Sequence, residues 1–399
     1  MRNKWIVSID DYRKASRKQL PKMISDYLEG GALDETTMRA NEDRFDALML
    51  RQRSMVDLRG LNTSTTVLGH SLALPLMVAP MGMLTIFHPG SDPAVARAAV
   101  RAGSIFIHSA WAGCSLEEVA KVAPNNLWAQ IAFWRDPEET ASYINRARAV
   151  GVETLVVAGD VGSSSKRERD LHHGLSMPPR PPVADYFNAA TRPAWLWRWL
   201  TGRKMTYGNY QINGRPLRMD EMNNWMATNK NPGATWEDFA RLRSEWKGNL
   251  VIKGIMDAED AARAVDEGAD GIFVSNHGGR QFDSQPATID VLPSIADAVG
   301  GRAEIYLDGG IRRGHDIVKA VALGAKAALA GRPFAYALAT GGEPAVDRVF
   351  GILQDELKGA MGFVGKSSVA DLDSSIFAGR STSAFPRACL CRRTESVAR

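Results

Sequence analysis

The chain has 399 residues, of which 45% are hydrophobic, and its 49 basic and 45 acidic residues give a formal net charge of +4. This composition is typical of a globular protein with a large core, and so small and dispersed a charge excludes nucleic acid from the predicted partners. The three cysteines, Cys114, Cys389 and Cys391, are too few for a disulfide framework and indicate a reducing compartment. Because the N-terminus lacks an apolar signal segment and the apolar stretch 72–87 is short and broken by prolines, we predict a cytoplasmic protein.

A helical lead-in, residues 1–71, is predicted to precede a repeat of short apolar runs and helical segments that starts at residue 72. Several of the helical segments begin with Asp, Ser or Pro and end at Gly, as helix caps require. Eight apolar runs are predicted as strands: PLMVAP (75–80), SIFIHS (104–109), LWAQIAF (127–133), TLVVAGD (154–160), LVIKG (250–254), GIFVSN (271–276), EIYLDGG (304–310) and AALAGRP (327–333).

These runs are continuously apolar rather than alternating, which indicates strands buried on both faces of a parallel sheet. Eight strand–helix units in about 270 residues predict an α/β protein with a TIM (β/α)8 barrel. An open doubly wound sheet is the alternative, but the sequence has no GxGxxG motif after the first strand. We expect residues 1–375 to form a single domain and residues 376–399, which are rich in Ser, Arg and Ala, to form a disordered tail.

A long insertion, residues 171–235, interrupts the repeat after the fourth strand. Its stretch RPAWLWRWLTGRK (192–204) alternates Trp with Leu and Arg. Amphipathic rings beside cations suit the headgroup region of a membrane, so the stretch predicts peripheral membrane contact. An active-site lid or an oligomer contact packed by aromatic side chains is the alternative.

Polar residues stand at the carboxyl ends of six of the eight predicted strands. In a barrel these ends form one rim, so residues far apart in the sequence converge on one pocket. The rim residues predicted in this way are Gln130, Asp160, Lys253, His277, Asp308, Gly331 and Arg332.

Two of the rim loops, LDGGIRRG (307–314) and AGRP (330–333), combine glycines with arginines. Main-chain N–H groups beside glycine approach an anion closely, and Arg312 and Arg332 add positive charge. The loops after the seventh and eighth strands are also the frequent phosphate site of such barrels. The two loops therefore predict a bound phosphate group, and two tight glycine turns with solvated arginines are the alternative.

The stretch SNHGGRQ (275–281) follows the sixth strand and places a histidine three residues before an arginine. Asp160 can approach His277 across the rim, and a carboxylate beside an imidazole favours the protonated form, as a base that must hold a proton requires. Arg280 and Arg167 can grip a carboxylate with paired hydrogen bonds. A surface ion pair is the alternative for Asp160 or Arg167. The histidines and cysteines lack the spacing of a metal site.

The motifs SNHGGRQ, LDGGIRRG and KG (253–254), with DYLEGGALDE (26–35), resemble those of the FMN-dependent 2-hydroxy acid dehydrogenase/oxidase family. The resemblance extends over about residues 8–373. It implies FMN as the cofactor, a small 2-hydroxy acid as the substrate and quinone or oxygen as the electron acceptor. It also implies a homo-oligomer, which in this family is a tetramer.

The resemblance also implies a role for each rim residue. Tyr27 would contact the substrate carboxylate that Arg280 and Arg167 clamp. His277 would be the base and Asp160 its partner. The implied cofactor-binding residues are Pro80, Gly82, Ser109, Gln130, Lys253, Ser275, Asp308, Gly310, Arg312, Gly331 and Arg332.

The chemistry implied by the resemblance is oxidation of the hydroxy acid to a 2-oxo acid. His277 would remove the hydroxyl proton while the α-hydrogen leaves as hydride; a carbanion route that uses the same base stays open. Lys253 would stabilise negative charge on the reduced flavin, and snorkelling or pairing with an acid is the alternative for this lysine.

Three positions depart from the family pattern: Met81 replaces a Thr, Ala132 a pocket Tyr and Ala158 a flavin-contacting Thr. Loss of the Tyr hydroxyl at Ala132 removes a hydrogen bond and opens space. Gly82 stands where enzymes for small substrates often carry Ala. Together these residues predict a bulky or aromatic, mandelate-like 2-hydroxy acid. Lactate, or a larger metabolite or modified peptide in a biosynthetic pathway, is the alternative.

The insertion lies where membrane-associated bacterial members of the family carry their membrane-binding segment. Because such members pass electrons to quinone, the resemblance favours a dehydrogenase over an oxidase, bound peripherally to the inner face of the cell membrane. A phosphate-binding barrel without redox chemistry is the remaining alternative, but it has no use for Lys253, His277 and Arg280 on one rim.

Overall fold

The computed structural model describes residues 5–175, 179–212 and 214–379. Three helices and a small hairpin precede the barrel. Ser8 begins the first helix with a capping box, in which its hydroxyl accepts from the main-chain N–H of Asp11 and the Asp11 carboxylate accepts from the main-chain N–H of Ser8. The elements are α1 (Ile9–Gln19), α2 (Lys22–Glu29), α3 (Thr36–Ala47), β1 (Thr65–Val67) and β2 (His70–Leu72).

The predicted lead-in is therefore helical only to Ala47. Its remainder is extended because main-chain N–H groups of Arg51 and Asn62 donate to carbonyls of Ile376 and Ser367 near the end of the described chain. The hairpin β1–β2 packs at the amino-terminal end of the barrel strands.

The first half of the barrel alternates strands and helices, as the apolar runs predict. A short 3₁₀ helix (Leu84–Ile86) follows the first strand. The elements are β3 (Leu76–Val78), α4 (Ser91–Arg101), β4 (Phe106–His108), α5 (Leu116–Ala120), β5 (Leu127–Ile131), α6 (Pro137–Ala149) and β6 (Thr154–Ala158).

The described residues of the insertion form four helices and an antiparallel hairpin. It occupies the predicted region after the fourth barrel strand, and the barrel resumes with a helix that starts at Trp236. The elements are α7 (Glu168–His172), α8 (Val183–Ala190), α9 (Pro193–Thr201), β7 (Thr206–Ile212), β8 (Arg215–Arg218) and α10 (Met222–Asn229).

The second half of the barrel continues the alternation and ends in a long helix. Within the described residues, the 3₁₀ helices Val369–Asp371 and Ser374–Ile376 follow this long helix, and another (His277–Gly279) follows the strand Gly271–Val274. The elements are α11 (Trp236–Glu245), β9 (Asn249–Ile255), α12 (Ala258–Asp266), β10 (Gly271–Val274), α13 (Thr288–Val299), β11 (Glu304–Leu307), α14 (Gly314–Ala322), β12 (Ala327–Ala330), α15 (Arg332–Gly341) and α16 (Glu343–Val364).

The eight strands β3, β4, β5, β6, β9, β10, β11 and β12 close into a barrel in which every pairing is parallel. All eight predicted strands are confirmed, and the open doubly wound sheet is wrong because β3 and β12 pair and leave no edge. Strand β6 pairs directly with β9, so the insertion leaves the barrel and returns without adding a strand to it.

Large side chains fill the barrel interior. Trp128, Phe273 and Tyr306 are at most 1% exposed, and their ring centroids lie between 5.1 and 6.3 Å apart. A second layer of apolar side chains packs between the strands and the surrounding helices. Because both faces of each strand are buried, the strands are continuously apolar, which is the pattern that made them predictable.

His173 ties the insertion to the N-terminal helices. Its Nδ1 lies 2.9 Å from an Asp185 oxygen in α8, and its Nε2 lies 2.7 Å from an Asp26 oxygen in α2. The tryptophan-rich stretch is helix α9, in which Trp195 is buried and stacks on Trp199 with 5.3 Å between ring centroids.

The first residues of the predicted tail, Ile376 and Phe377, are buried, and Phe377 forms a β-bridge with Leu50. Residues 380–399 of that tail lie outside the described residues. Within the described ranges, no helix combines the length and the apolar character needed to cross a bilayer.

Candidate active site

The carboxyl ends of the barrel strands and the start of the insertion enclose a cavity of about 700 Å³. Most of the predicted site residues line it, as the convergence of strand ends predicts. They are Tyr27, Pro80, Gly82, Ser109, Gln130, Arg167, Lys253, His277, Arg280, Asp308, Gly310, Arg312, Gly331 and Arg332. The other two predicted residues, Asp160 and Ser275, do not belong to the lining. They form hydrogen bonds with His277 and Lys253, which do.

His277 and Asp160 form a close pair. The Nδ1 atom of His277 lies 2.9 Å from Asp160 Oδ2, so the other ring nitrogen, Nε2, is left to act as an acceptor. Burial opposes ionisation of Asp160, but the charge and hydrogen bond of His277 outweigh it and lower the pKa of Asp160 to about 2. Asp160 is therefore a carboxylate at neutral pH, which fixes the orientation of the imidazole.

The main chain around His277 turns sharply. His277 has a φ of 57°, in the left-handed region that non-glycine residues rarely adopt, and Gly278 and Gly279 continue with φ values of 63° and 73°. A Cβ on Gly279 would lie 2.6 Å from the main-chain nitrogen of Met38, so only glycine allows α3 to approach this closely. The paired glycines of SNHGGRQ thus bring the histidine onto the rim and pack its loop against α3.

Lys253 is almost completely buried at the end of β9. Its Nζ donates to Ser275 Oγ at 2.7 Å and lies 3.3 Å from Asp308 Oδ2. The lysine thus pairs with an acid and also faces the cavity. The remaining oxygen of that acid, Asp308 Oδ1, is buried and has no hydrogen-bond partner among the described residues.

Arg280 and Arg167 bring two positive charges together. Arg280 Nη1 donates to the main-chain oxygens of Tyr27 and Gly30 at 2.8 and 2.7 Å, and its guanidinium carbon lies 4.9 Å from the centre of the Tyr27 ring. The charge of Arg280, followed by burial, lowers the pKa of Arg167 to about 10. Two like charges in one buried cavity favour the binding of an anion between them.

Two further arginines line the cavity. Arg312 Nη2 donates to Glu42 at 2.9 Å, while Arg312 Nε is buried without a partner among the described residues. The guanidinium of Arg332 donates to main-chain oxygens of Leu28, Gly278 and Gly30, and burial lowers its pKa to about 10. The oxygen partners of Arg332 are main-chain carbonyls, and no carboxylate of the described chain lies within 4 Å of its guanidinium, so its positive charge is available to an anion.

The positions that depart from the family pattern lie partly on and partly behind the cavity wall. Ala132 and Ala158 are buried, and neither belongs to the described lining of the cavity. Met81 and Gly82 do line the cavity. A Cβ on Gly82 would lie 3.0 Å from Trp111 Cβ, so glycine here lets the indole form part of the wall.

The cavity lining also includes residues that the sequence analysis missed, among them Met83, Trp111, Tyr207 and Lys230. Tyr207 and Lys230 belong to the insertion, whose fold follows no repeat from which a rim position can be inferred. Lys230 Nζ donates to Ser164 Oγ at 2.7 Å. Trp111 follows β4 and would have been found by searching every strand end for aromatic as well as polar residues.

A model of the FMN-dependent dehydrogenase family matches residues 16–378. The chain is 39% identical over 366 residues to an L-lactate dehydrogenase of Pectobacterium atrosepticum, covering 91% of this chain and 95% of the relative. It is 38% identical over 377 residues to an L-lactate dehydrogenase of Caulobacter vibrioides, covering 94% and 98%.

Solved structures show the same likeness. The monotopic membrane protein (S)-mandelate dehydrogenase superposes with a TM-score of 0.89 and 33% identity, covering 94% of this chain and 100% of that chain. Mandelate oxidase with (S)-2-phenylpropionate gives a TM-score of 0.77 and 35% identity, covering 91% and 96%. An oxidoreductase built on a (β/α)8 barrel is thus the class that fold and comparisons define.

The chain belongs to the FMN-dependent dehydrogenase family, and its cofactor is FMN. It is an enzyme of the 2-hydroxy acid dehydrogenase/oxidase class, and the alternative of a phosphate-binding barrel without redox chemistry is wrong.

The site fits this cofactor. The uncompensated Arg332 and the unpartnered Nε of Arg312 suit a phosphate group, and the unpartnered Asp308 Oδ1 suits a hydroxyl of the ribityl chain. The ammonium of Lys253 lies at the end of β9 in the same cavity, where it can face the isoalloxazine ring.

Proposed function

We propose that the protein oxidises an (S)-2-hydroxy acid with a bulky or aromatic side chain to the corresponding 2-oxo acid. The observation that carries this proposal is the His277–Asp160 pair, 2.9 Å apart, in one cavity with the paired cations Arg280 and Arg167. A base beside a carboxylate-binding pair is what removal of a proton from a 2-hydroxy acid requires.

In this proposal, the two arginines hold the substrate carboxylate together with the Tyr27 phenol. His277 Nε2 accepts the hydroxyl proton, because Nδ1 is engaged by Asp160. The ionised Asp160 then stabilises the imidazolium that forms. The FMN, when bound, supplies the acceptor for the two electrons of the C2–H bond.

We propose that the cofactor is held by the predicted set of residues. Arg312, Arg332, Gly310 and Gly331 would bind the phosphate, and Asp308 the ribityl chain. Lys253 would lie beside the flavin ring. The remaining ring or ribityl contacts would be Pro80, Gly82, Ser109, Gln130 and Ser275.

The apolar lining of the cavity supports a substrate with a bulky or aromatic side chain. Gly82 lets the Trp111 indole form part of the wall, and Met81 and Met83 add adaptable apolar surface to the lining. Lactate remains the second candidate, because the relatives at 37–39% identity are L-lactate dehydrogenases.

Anaerobic mixing of the holoenzyme with a panel of hydroxy acids tests the substrate. We expect (S)-mandelate to bleach the flavin absorbance faster than L-lactate does, and the (R)-acids to leave it unchanged. Bleaching by lactate alone would assign the second candidate. Bleaching only by a larger 2-hydroxy acid would assign a larger metabolite, and bleaching by none would contradict the proposal.

We further propose that the insertion contacts a membrane and that quinone is the electron acceptor. Exposed apolar residues recur on one face of α8 (Val183, Tyr186 and Phe187) and on one face of α9 (Trp197 and Leu200), each between 60% and 72% exposed. We call these five residues the apolar patch. Lys204, which is exposed and follows α9, suits anionic headgroups. The similarity to a monotopic membrane protein supports the same contact.

Sedimentation with vesicles of phosphatidylglycerol and phosphatidylcholine tests the membrane contact. We expect Phe187→Ser to weaken vesicle binding by about tenfold, because a buried phenylalanine contributes roughly 1.5–3 kcal/mol. The matched control is Phe363→Ser, which removes an equally exposed phenylalanine from α16. Equal binding by both variants would contradict the contact. Reoxidation of the reduced enzyme by a soluble quinone analogue, faster than by oxygen, would support the acceptor.

A further inference from the structure

The insertion contributes a phenol to the active-site cavity. Tyr207 lies at the start of β7, is only 1% exposed and lines the same cavity as His277, Arg280 and Tyr27. Its ring meets that of Trp111 edge-on, with centroids 6.4 Å apart. The wall of the site thus includes a hydroxyl that no barrel strand supplies.

The segment that carries Tyr207 is firmly joined to the barrel. Thr206 Oγ1 donates to the oxygen of Gly113 at 3.2 Å, and the Gly208 N–H donates to the oxygen of Ala112 at 3.1 Å. A Cβ on Gly208 would lie 2.2 Å from the carbonyl carbon of Cys114, so a side chain here would push the strand away from the barrel.

Asn209 completes this attachment. Its Nδ2 donates to the oxygens of Ser109 and Ala110 at 3.1 and 3.3 Å, and its Oδ1 accepts from the N–H of Leu116 at 3.0 Å. Both neighbours of Tyr207 in the chain are therefore fixed relative to the loop after β4, and the phenol of Tyr207 is held in place before any ligand arrives. A preorganised donor loses little entropy when it binds.

The hydroxyl of Tyr207 has only a weak partner in the described structure. It lies 3.7 Å from the sulfur of Met83, and the hydroxyl of Tyr27 lies 3.5 Å from the same sulfur. A thioether is a poor acceptor, so both phenols keep most of their capacity to donate. Burial, followed by the charge of Tyr27, raises the pKa of Tyr207, so its phenol is protonated at neutral pH.

We propose that Tyr207 is a substrate-contacting residue, which with Tyr27 donates a hydrogen bond to the anionic end of the bound hydroxy acid. The two phenols converge on Met83 in a cavity that also holds Arg280, so an anion bound there meets donors from the barrel and from the insertion. This inference rests on the proposed oxidation of a 2-hydroxy acid. It means that the insertion completes the substrate site.

The matched variants Tyr207→Phe and Tyr210→Phe test this role. Tyr210 is on the same strand and is equally buried, but it packs on Trp134 and Trp225 and does not belong to the described lining of the cavity. In the holoenzyme, we expect Tyr207→Phe to slow anaerobic flavin reduction by the hydroxy acid about tenfold, the effect of one hydrogen bond to a charged group. Tyr210→Phe should stay within about twofold of the wild type.

Oxalate binding, measured by calorimetry, gives a second measurement that needs no turnover. Oxalate carries a carboxylate next to a second anionic oxygen, as the substrate does during deprotonation. We expect its affinity to fall about tenfold in Tyr207→Phe and to be unchanged in Tyr210→Phe. Wild-type affinity in Tyr207→Phe, or no oxalate binding by the wild type, would overturn the inference. If no hydroxy acid reduces the wild-type flavin, the proposed function fails, while oxalate binding still decides the role of Tyr207.

Discussion

The barrel and the insertion both line the active-site cavity, but they are stabilised in different ways. The barrel strands are buried on both faces, and their main chains pair with one another around the closed barrel. The insertion relies on particular polar contacts, such as His173 between Asp26 and Asp185, and it exposes an apolar patch to solvent. The barrel rim carries His277, Arg280 and Lys253, and the insertion carries Tyr207 and the apolar patch.

From this division we expect the two regions to tolerate change differently. A barrel residue such as Lys253 or Asp160 is hydrogen-bonded to another residue of the site, so altering it changes the chemistry of the site. A residue of the insertion can change without altering the strand pairings, because β6 and β9 pair directly beneath it. We therefore expect the largest effects in the barrel rim and smaller, separable effects in the insertion.

The largest expected effect is that of His277→Gln. FMN content should be unchanged, whereas the rate of flavin reduction by the hydroxy acid should fall by about 10²–10⁴-fold, the usual contribution of a general base. Anaerobic stopped-flow absorbance measures this rate. A reduction rate equal to that of the wild type would rule out His277 as the base. It would also contradict the expectation that changes at the barrel rim have larger effects than changes in the insertion.

A smaller effect is expected on stability in acid. The folded state lowers the pKa of Asp160 from 3.8 to about 2, so its ionised form stabilises the fold by about 2 kcal/mol. Because the folded value is the lower one, this stabilisation is present above about pH 4 and is lost as the pH falls toward 2. Urea unfolding at pH 6, 4 and 3 measures it. Asp160→Asn should lose less free energy of unfolding over this range than the wild type; equal losses would contradict the pairing with His277.

The smallest effect is expected for His173→Ala in the insertion. Each of the two lost hydrogen bonds should cost roughly 1 kcal/mol, and the loss should be confined to the docking of the insertion. Limited proteolysis should therefore cut the insertion faster than in the wild type, while FMN remains bound. A matched control is His172→Ala on the same helix, because His172 is exposed. Loss of FMN from His173→Ala would mean that the insertion and the barrel are not separable.

How well the site residues could be predicted from the sequence also differs between the barrel and the insertion. Asp160, Lys253, His277 and Asp308 were found because each stands directly after a recognisable apolar strand, and the strand ends of a barrel share one rim. Tyr207 and Lys230 could not be found in this way. Their hairpin and helix reach the rim only through contacts such as that of Asn209 with the loop after β4, which no local pattern records.

The tryptophan-rich stretch shows the same limit within a single helix. Its composition correctly predicted an amphipathic segment, but the alternation of Trp with Leu and Arg did not show which indole rings are buried. In α9, Trp195 and Trp199 are four residues apart and stack, while Trp197 lies on the exposed face with Leu200. The residues on the exposed face of α9 are therefore set by the helical period and not by the alternation of residue types along the sequence.

The amino-acid sequence by itself determined the barrel, its eight strands and the chemistry of its rim, because buried parallel strands require continuous apolar runs and their ends must meet. Only the tertiary structure decided the shape of the cavity. It buried Ala132 away from the cavity lining, directed Trp111 past Gly82 and brought Tyr207 to the cavity from a distant part of the chain. These outcomes depend on packing between segments far apart in sequence, which neither periodicity nor composition encodes.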